Sequence, residues 1–208
     1  MCGVIGAYAI KPSANISRNV ERIFIESRIR GRHAFGFSNW SNGLLDTHKF
    51  LDVIPCVKAL PSSITCLIGH ARYSTSGDFK NIENNQPLEL DGSSLAFNGV
   101  ISMATKLENE AKYGQTYRAD NDGEIFLDKF NRDDGWESFV STGRFSFAGL
   151  VLKDGCITAI RNESRPLYSC KTEEAVYVAS TRDIFLRADI RGDYVQVPVG
   201  KAVRIDRL

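Results

Sequence analysis

The second residue of this 208-residue chain is a cysteine. A thiol one step behind the initiator has a chemical use. Once Met1 is removed, as a small second side chain permits, Cys2 carries a nucleophile and a free α-amine on one residue. A cysteine titrates near about 8.5 and an α-amine near about 7.7–8.0, so around neutral pH a good fraction of the amine is unprotonated beside its own sulfur. One residue then supplies both nucleophile and general base. Taken alone, a cysteine at this position is usually a small buried hydrophobe or an exposed accident, so the weight falls on what the rest of the chain brings to it.

The elements that must position Cys2 begin at once. Val4, Ile5, Ala7, Tyr8, Ala9 and Ile10 form an apolar run that reads as a buried strand, with Gly3 and Gly6 allowing close approach by backbone or substrate. After the Lys11-Pro12-Ser13 break, Asn15 or Ser17 caps a helix with Val20, Ile23 and Phe24 on its apolar face, ending near Arg30-Gly31. Residues 34–40 and 43–50 read as a hairpin. Ile64 to Ile68 is a short buried strand running into a polar loop, Gly69-His70-Ala71-Arg72-Tyr73-Ser74-Thr75-Ser76-Gly77, and loops at strand ends commonly carry chemistry. Asn98-Gly99 suits a two-residue hairpin turn. Asp120-Asn121-Asp122 can cap a helix carrying Ile125, Phe126 and Phe130, and the last third is rich in strands, with the clearest hairpin turning at Asp154-Gly155. Many strands with two or three helices indicate an α+β fold with sheet packed on sheet.

Composition narrows the function classes. A hydrophobic content of 43% over 208 residues suits a single domain spanning residues 1–208. Lys+Arg 26 against Asp+Glu 25, without a long run of either sign, offers no electrostatic surface for nucleic acid or anionic lipid. No stretch approaches the roughly 18 apolar residues of a membrane span or the pattern of a signal peptide, which points to the cytoplasm. The five cysteines, Cys2, Cys56, Cys66, Cys156 and Cys170, contain no C-x-x-C pair, so no metal and no cofactor is expected, and four are read as structural thiols. His33 and His70 read as core or supporting histidines.

An ordered set of motifs goes further. Met1-Cys2-Gly3-Val4-Ile5-Gly6, Arg30-Gly31 followed by Gly36, residues 69–77, Asn85-Gln86-Pro87, Asn98-Gly99 and Asn121-Asp122-Gly123-Glu124 together resemble the glutaminase domain of the class II glutamine amidotransferases, which are N-terminal nucleophile hydrolases. The motifs are of the amidophosphoribosyltransferase and glucosamine-6-phosphate synthase type. Arg161-Asn162, Arg165-Pro166-Leu167 and Tyr177-Val178-Ala179-Ser180 resemble the matching stretch of the former.

The resemblance implies a four-layer αββα sandwich and hydrolysis of L-glutamine to glutamate and ammonia. It assigns Cys2 as nucleophile and Asn98 with the Gly99 N–H as oxyanion donors. Arg72 matches the ligand of the substrate carboxylate, a planar fork suited to bidentate pairing, and Asp122 matches the ligand of its ammonium. Arg30 matches an arginine beside the nucleophile, and Tyr73, Ser74, Thr75, Ser76 and Gly77 match the loop over bound glutamine. Two positions depart from the pattern: His33 stands where many relatives have an acidic residue, and Phe97 where they have histidine. The 208 residues leave no room for a fused synthase domain, so a separate synthase partner is expected to take the ammonia, and a homo-oligomer is left open. Two other readings compete: a hydrolase of another γ-glutamyl or small amide, and a non-catalytic glutamine-binding or scaffold protein.

Overall fold

A computed structural model describes residues 1–75 and 77–207. In chain order its elements are β1 (Gly3–Ala9), α1 (Asn15–Ser27), β2 (Ala34–Ser41), β3 (Leu44–Phe50), α2 (Val53–Lys58), β4 (Cys66–Arg72), β5 (Leu88–Leu90), β6 (Ser93–Val100), α3 (Lys106–Tyr113), α4 (Gly123–Asn131), α5 (Trp136–Thr142), β7 (Ser146–Lys153), β8 (Cys156–Arg161), β9 (Tyr168–Lys171), β10 (Ala175–Ala179), α6 (Arg182–Arg187), β11 (Asp193–Gln196) and β12 (Val203–Arg204). The named strands form two antiparallel sheets, in the orders β11-β9-β10-β1-β4-β2-β3 and β12-β8-β7-β6-β5.

Alternation along each strand sorts the side chains into three cores. Ile5 and Ala7 of β1 and Leu67 and Ala71 of β4 turn outward onto α1, α2 and α6, where they meet Val20, Phe24, Cys56 and Phe185. Val4 of β1 and Ile68 of β4 turn the other way and pack on Ala96, Ala148 and Leu150 of the second sheet. Leu95 and Phe97 of β6 face Phe126, Leu127 and Val140 of α4 and α5. Helix, sheet, sheet and helix therefore stack as four layers, the arrangement that two sheets adopt when both outer faces are apolar. Gly69 shows how closely α1 lies on its sheet: a Cβ built there would come within 2.4 Å of the Phe24 ring.

Several local expectations change. Among the described residues there are six α-helices rather than two or three. Helix α1 stops at Ser27, with Arg28 to Arg30 in a turn whose Arg30 N–H donates to Ser27 O, and neither Asn15 nor Ser17 caps it. Strand β4 continues through Gly69-His70-Ala71-Arg72, where a loop is expected, because both polar side chains of that stretch are buried with partners. Asn98-Gly99 lies inside β6, paired with Phe147 and Ala148, and not in a turn. The first hairpin forms with its turn at Asn42-Gly43, one residue later than the expected Ser41-Asn42, and the Asp154-Gly155 turn forms as expected; φ is positive at all four turn residues, Asn42, Gly43, Asp154 and Gly155.

Candidate active site

Period two delivers the chemistry to one rim of the sandwich. In the β1–β4 register Val4 faces His70 and Gly3 faces Ala71, so Cys2 lies one step beyond, level with Arg72. Counting by twos from Val4 and Ile68, whose side chains fill the space between the sheets, brings Cys2, His70 and Arg72 to that same inner side. On the facing sheet, Ala96 points inward and so, two residues on, does Asn98.

Cys2 and Asn98 meet across the gap. The backbone N–H of Cys2 donates to Asn98 Oδ1 at 3.1 Å, while Asn98 Nδ2 is buried without a partner among the described residues. Sγ of Cys2 lies 3.4 Å from the Tyr73 nitrogen, which donates to it, and 3.6 Å from the Tyr73 carbonyl oxygen. Burial pushes the Cys2 thiol up; the Tyr73 N–H, the positive amino terminus, Arg72 and Arg30 pull it back down. Arg30 Nε donates to Cys2 O at 3.0 Å, and its Nη2 lies 3.7 Å from Met1 Sδ. Met1 itself is 63% exposed, projecting from the rim. Gly99 is held between strands: a Cβ there would sit 1.9 Å from Ser146 O of β7.

Arg72 is buried and anchors the segment after β4. Its Nη1 donates to Asn84 O at 2.7 Å and to Asn85 Oδ1 at 2.5 Å, and Nη2 lies 3.5 Å from Gly77 O. Asn84 in turn accepts the Asp120 N–H at 2.8 Å through Oδ1 and the Asn121 side chain at 3.1 Å through its carbonyl. A polar knot thus ties the Tyr73–Asn85 segment to the stretch before α4. Ser74 Oγ donates to Gly77 O at 3.0 Å, and Gly77, at φ +65°, makes the bend that residues other than glycine rarely adopt. Ser76 lies outside the described residues.

Asp122 does not cap α4 through its side chain; Asn121 Oδ1 does this by accepting the Gly123 N–H at 3.1 Å. Asp122 Oδ2 instead accepts the N–H groups of Ile101 at 2.5 Å and Ser102 at 2.9 Å, fixing the chain just past Asn98-Gly99. Burial raises its carboxyl, opposed by those two amides. A cavity of about 340 Å³ opens beside it, lined among others by Thr75, Val100, Ser102, Lys106, Tyr117 and Asp122.

The two histidines differ. His70 is fully buried, its Nε2 3.1 Å from Phe97 O, and burial with the nearby Arg72 charge drives it down to about 3. It is a neutral core residue beneath β6. His33 sits at the surface of the site, its ring stacked between Tyr73 and Phe79. Phe97 stacks on Phe147, and a Cβ on Gly123 would strike its ring at 2.3 Å. Sequence reasoning missed Asn84, Phe79 and Ser146, whose Oγ accepts the Val100 N–H at 3.1 Å; none lies on an apolar period that would mark it. Among the described residues no group of three His, Cys, Asp or Glu is arranged for a metal, and no helix is long and apolar enough to cross a membrane.

Comparison with solved structures settles the architecture. Glutamine phosphoribosylpyrophosphate amidotransferase from B. subtilis superposes on 98% of this chain with a TM-score of 0.77 at 21% identity, and the allosteric regulatory enzyme of purine biosynthesis does so with 0.78 at 22%. The fold is that of the class II glutamine amidotransferases. A glutamine aminotransferase class-II domain protein from Silicibacter pomeroyi shares it more distantly, with a TM-score of 0.55 at 9% identity over 98% of both chains. In sequence, the chain is related to the amidophosphoribosyltransferase of Methanothermobacter thermautotrophicus, 27% identical over 142 residues, which is 64% of this chain and 30% of that protein. It also spans 49% and 46% of the first two superposed chains, less than half of the length of each. No family model matches it. This amidotransferase fold, with its paired antiparallel sheets between helical layers, is the N-terminal nucleophile hydrolase fold.

Proposed function

We propose that the chain hydrolyses L-glutamine to L-glutamate and ammonia, with Cys2 freed of Met1 as nucleophile, and that the ammonia passes to a separate synthase. One observation carries the reading. The Cys2 nitrogen rests 3.1 Å from Asn98 Oδ1 while Nδ2 of the same side chain is buried with no acceptor among the described residues. That is the arrangement expected of an amine held beside a thiol and an amide aimed at a developing oxyanion.

In this mechanism the α-amine takes the thiol proton and Sγ attacks the side-chain carboxamide carbon. The carbonyl π electrons move to oxygen, where Asn98 Nδ2 and the Gly99 N–H stabilise the charge. Collapse breaks the C–N bond; the proton held by the amine goes to the leaving nitrogen, which departs as ammonia. Water, deprotonated by the same amine, then attacks the γ-glutamyl thioester, and a second tetrahedral oxyanion expels the sulfur and yields glutamate. Arg72 is proposed to pair the α-carboxylate. Asp122, with Oδ2 committed to backbone amides, is proposed to take the α-ammonium on Oδ1. Tyr73, Ser74, Thr75 and Gly77 are proposed to lie over the substrate.

Transfer of the ammonia is supported by the amidotransferase names of the related proteins. The test uses chain whose intact mass shows Met1 removed. It should release glutamate and ammonia in equal amounts from glutamine, and faster than from γ-glutamyl amides, with Cys2→Ala inert. Unchanged turnover in Cys2→Ala, or turnover by chain that retains Met1, overturns the reading.

A further inference from the structure

The Tyr73–Ser74 peptide group links the nucleophile to a residue that no catalytic role yet covers. A peptide unit is planar and trans, so its C=O and N–H point in opposite directions and cannot turn independently. Here the carbonyl, belonging to Tyr73, lies 3.6 Å from Cys2 Sγ. The N–H, belonging to Ser74, donates to His33 Nδ1 at 2.9 Å. The imidazole is well fixed. Its ring is stacked between Tyr73 and Phe79, with centroids 5.0 Å away on each side and interplanar angles of 24° and 21°, and its own backbone N–H donates to Arg72 O at 2.9 Å. A ring nitrogen that accepts a hydrogen bond carries no proton, so His33 is held as the tautomer protonated on Nε2.

We propose that His33 is a positioning residue for the nucleophile: by accepting the Ser74 N–H it fixes the Tyr73–Ser74 peptide plane, and through it the Tyr73 backbone that brackets the Cys2 sulfur. This rests on reading Cys2 as the nucleophile. The acceptor is what matters. The Tyr73 N–H belongs to the preceding peptide, donates to Sγ at 3.4 Å and favours the thiolate against burial; the two peptides meet at the Tyr73 Cα, so anchoring the second limits how far the first can swing from the sulfur.

The test separates the ring from its acceptor. His33→Phe keeps a planar ring for the stack and removes the nitrogen; His33→Asn keeps an oxygen acceptor at similar reach and loses the ring. The readout is the rate of Cys2 alkylation by iodoacetamide across pH, which requires no glutamine turnover and so stands even if the glutaminase reading fails. His33→Phe should react about three- to tenfold more slowly near neutral pH, the value of one hydrogen bond, with its profile moved to higher pH; His33→Asn should stay near the parent. A parent-like rate in His33→Phe, or an equal fall in both variants, overturns the proposal. Hydrogen exchange on the unmodified protein gives an answer should His33→Phe not fold: the Ser74 amide is expected to be protected, and exchange as fast as an open loop amide would refute the anchor.

Discussion

Asn98 offers its oxygen to the nitrogen of Cys2 at 3.1 Å and keeps its own Nδ2 buried, with no partner among the described residues. In the proposed mechanism the two ends of one amide serve two partners, the Cys2 nitrogen and the oxyanion that forms only during reaction. Asn98→Ala should lower kcat for glutamine by about 10²- to 10³-fold with little change in KM, the usual effect of deleting one oxyanion donor. Asn98→Asp retains an acceptor for the Cys2 nitrogen but no donor, and should fall as far. Steady-state kinetics on both variants provides the check; a KM effect alone would remove Asn98 from the oxyanion role.

Arg30 acts on the thiol through charge. Its guanidinium is among the groups that lower the Cys2 thiol against burial. Arg30→Gln should therefore move the pH profile of Cys2 alkylation to higher pH, by at most about one unit for a partly exposed charge. Alkylation of parent and variant from pH 6 to 10 measures it, and a shift to lower pH would contradict the assignment.

His70 predicts an acid-sensitive fold. Its folded pKa of about 3 lies below the ordinary value near 6.5, so the unfolded chain takes up the proton first. The stabilisation is complete above about 6.5 and is lost as pH falls toward 3, at about 1.4 kcal/mol per pH unit. Between pH 7.5 and 5 the contribution should fall by roughly 2 kcal/mol. Urea unfolding of the parent and of His70→Gln at both values tests this, with the variant expected to lack that part of the slope.

Gly99→Ala should destabilise the protein as well as silence it. The added methyl would meet Ser146 O at 1.9 Å and Ser146 C at 2.7 Å, both backbone atoms of the adjoining strand, so β6 and β7 must part. A cost of about 1–3 kcal/mol or more follows, or about 2–4 °C in Tm for each kcal/mol in a chain of this size. Thermal unfolding and activity measured together should both drop.

Much of this was written in local patterns. The Asp154-Gly155 dipeptide announces its hairpin because a two-residue turn needs positive φ at both positions and it supplies both, whereas the first hairpin turns at Asn42-Gly43, one residue past the expected Ser41-Asn42, where positive φ is available. The same logic misled at Asn98-Gly99, where glycine is required by the nearness of Ser146 and not by a turn. The extent of β4 was hidden because His70 and Arg72 look like loop residues until their buried partners, Phe97 O and Asn84 O, are known, and both come from distant parts of the chain. Helix α3 was legible in principle, since Thr105 and Glu108 form a capping box. The short helices α2, α5 and α6 carry too few turns for an apolar period to stand out. No period, likewise, identifies Asn84, whose importance lies in joining Arg72 to Asp120.

The pleat of β4 has a further implication. Its inner side carries Ile68, His70 and Arg72, and its outer side carries Leu67, Gly69 and Ala71, the glycine lying directly under the Phe24 ring. Deleting a single codon upstream of Ile68 within this strand would interchange the two sets, sending a guanidinium into the helical layer and bringing Tyr73 level with the sulfur in its place. Natural variation in this strand is therefore expected as substitution and not as indels.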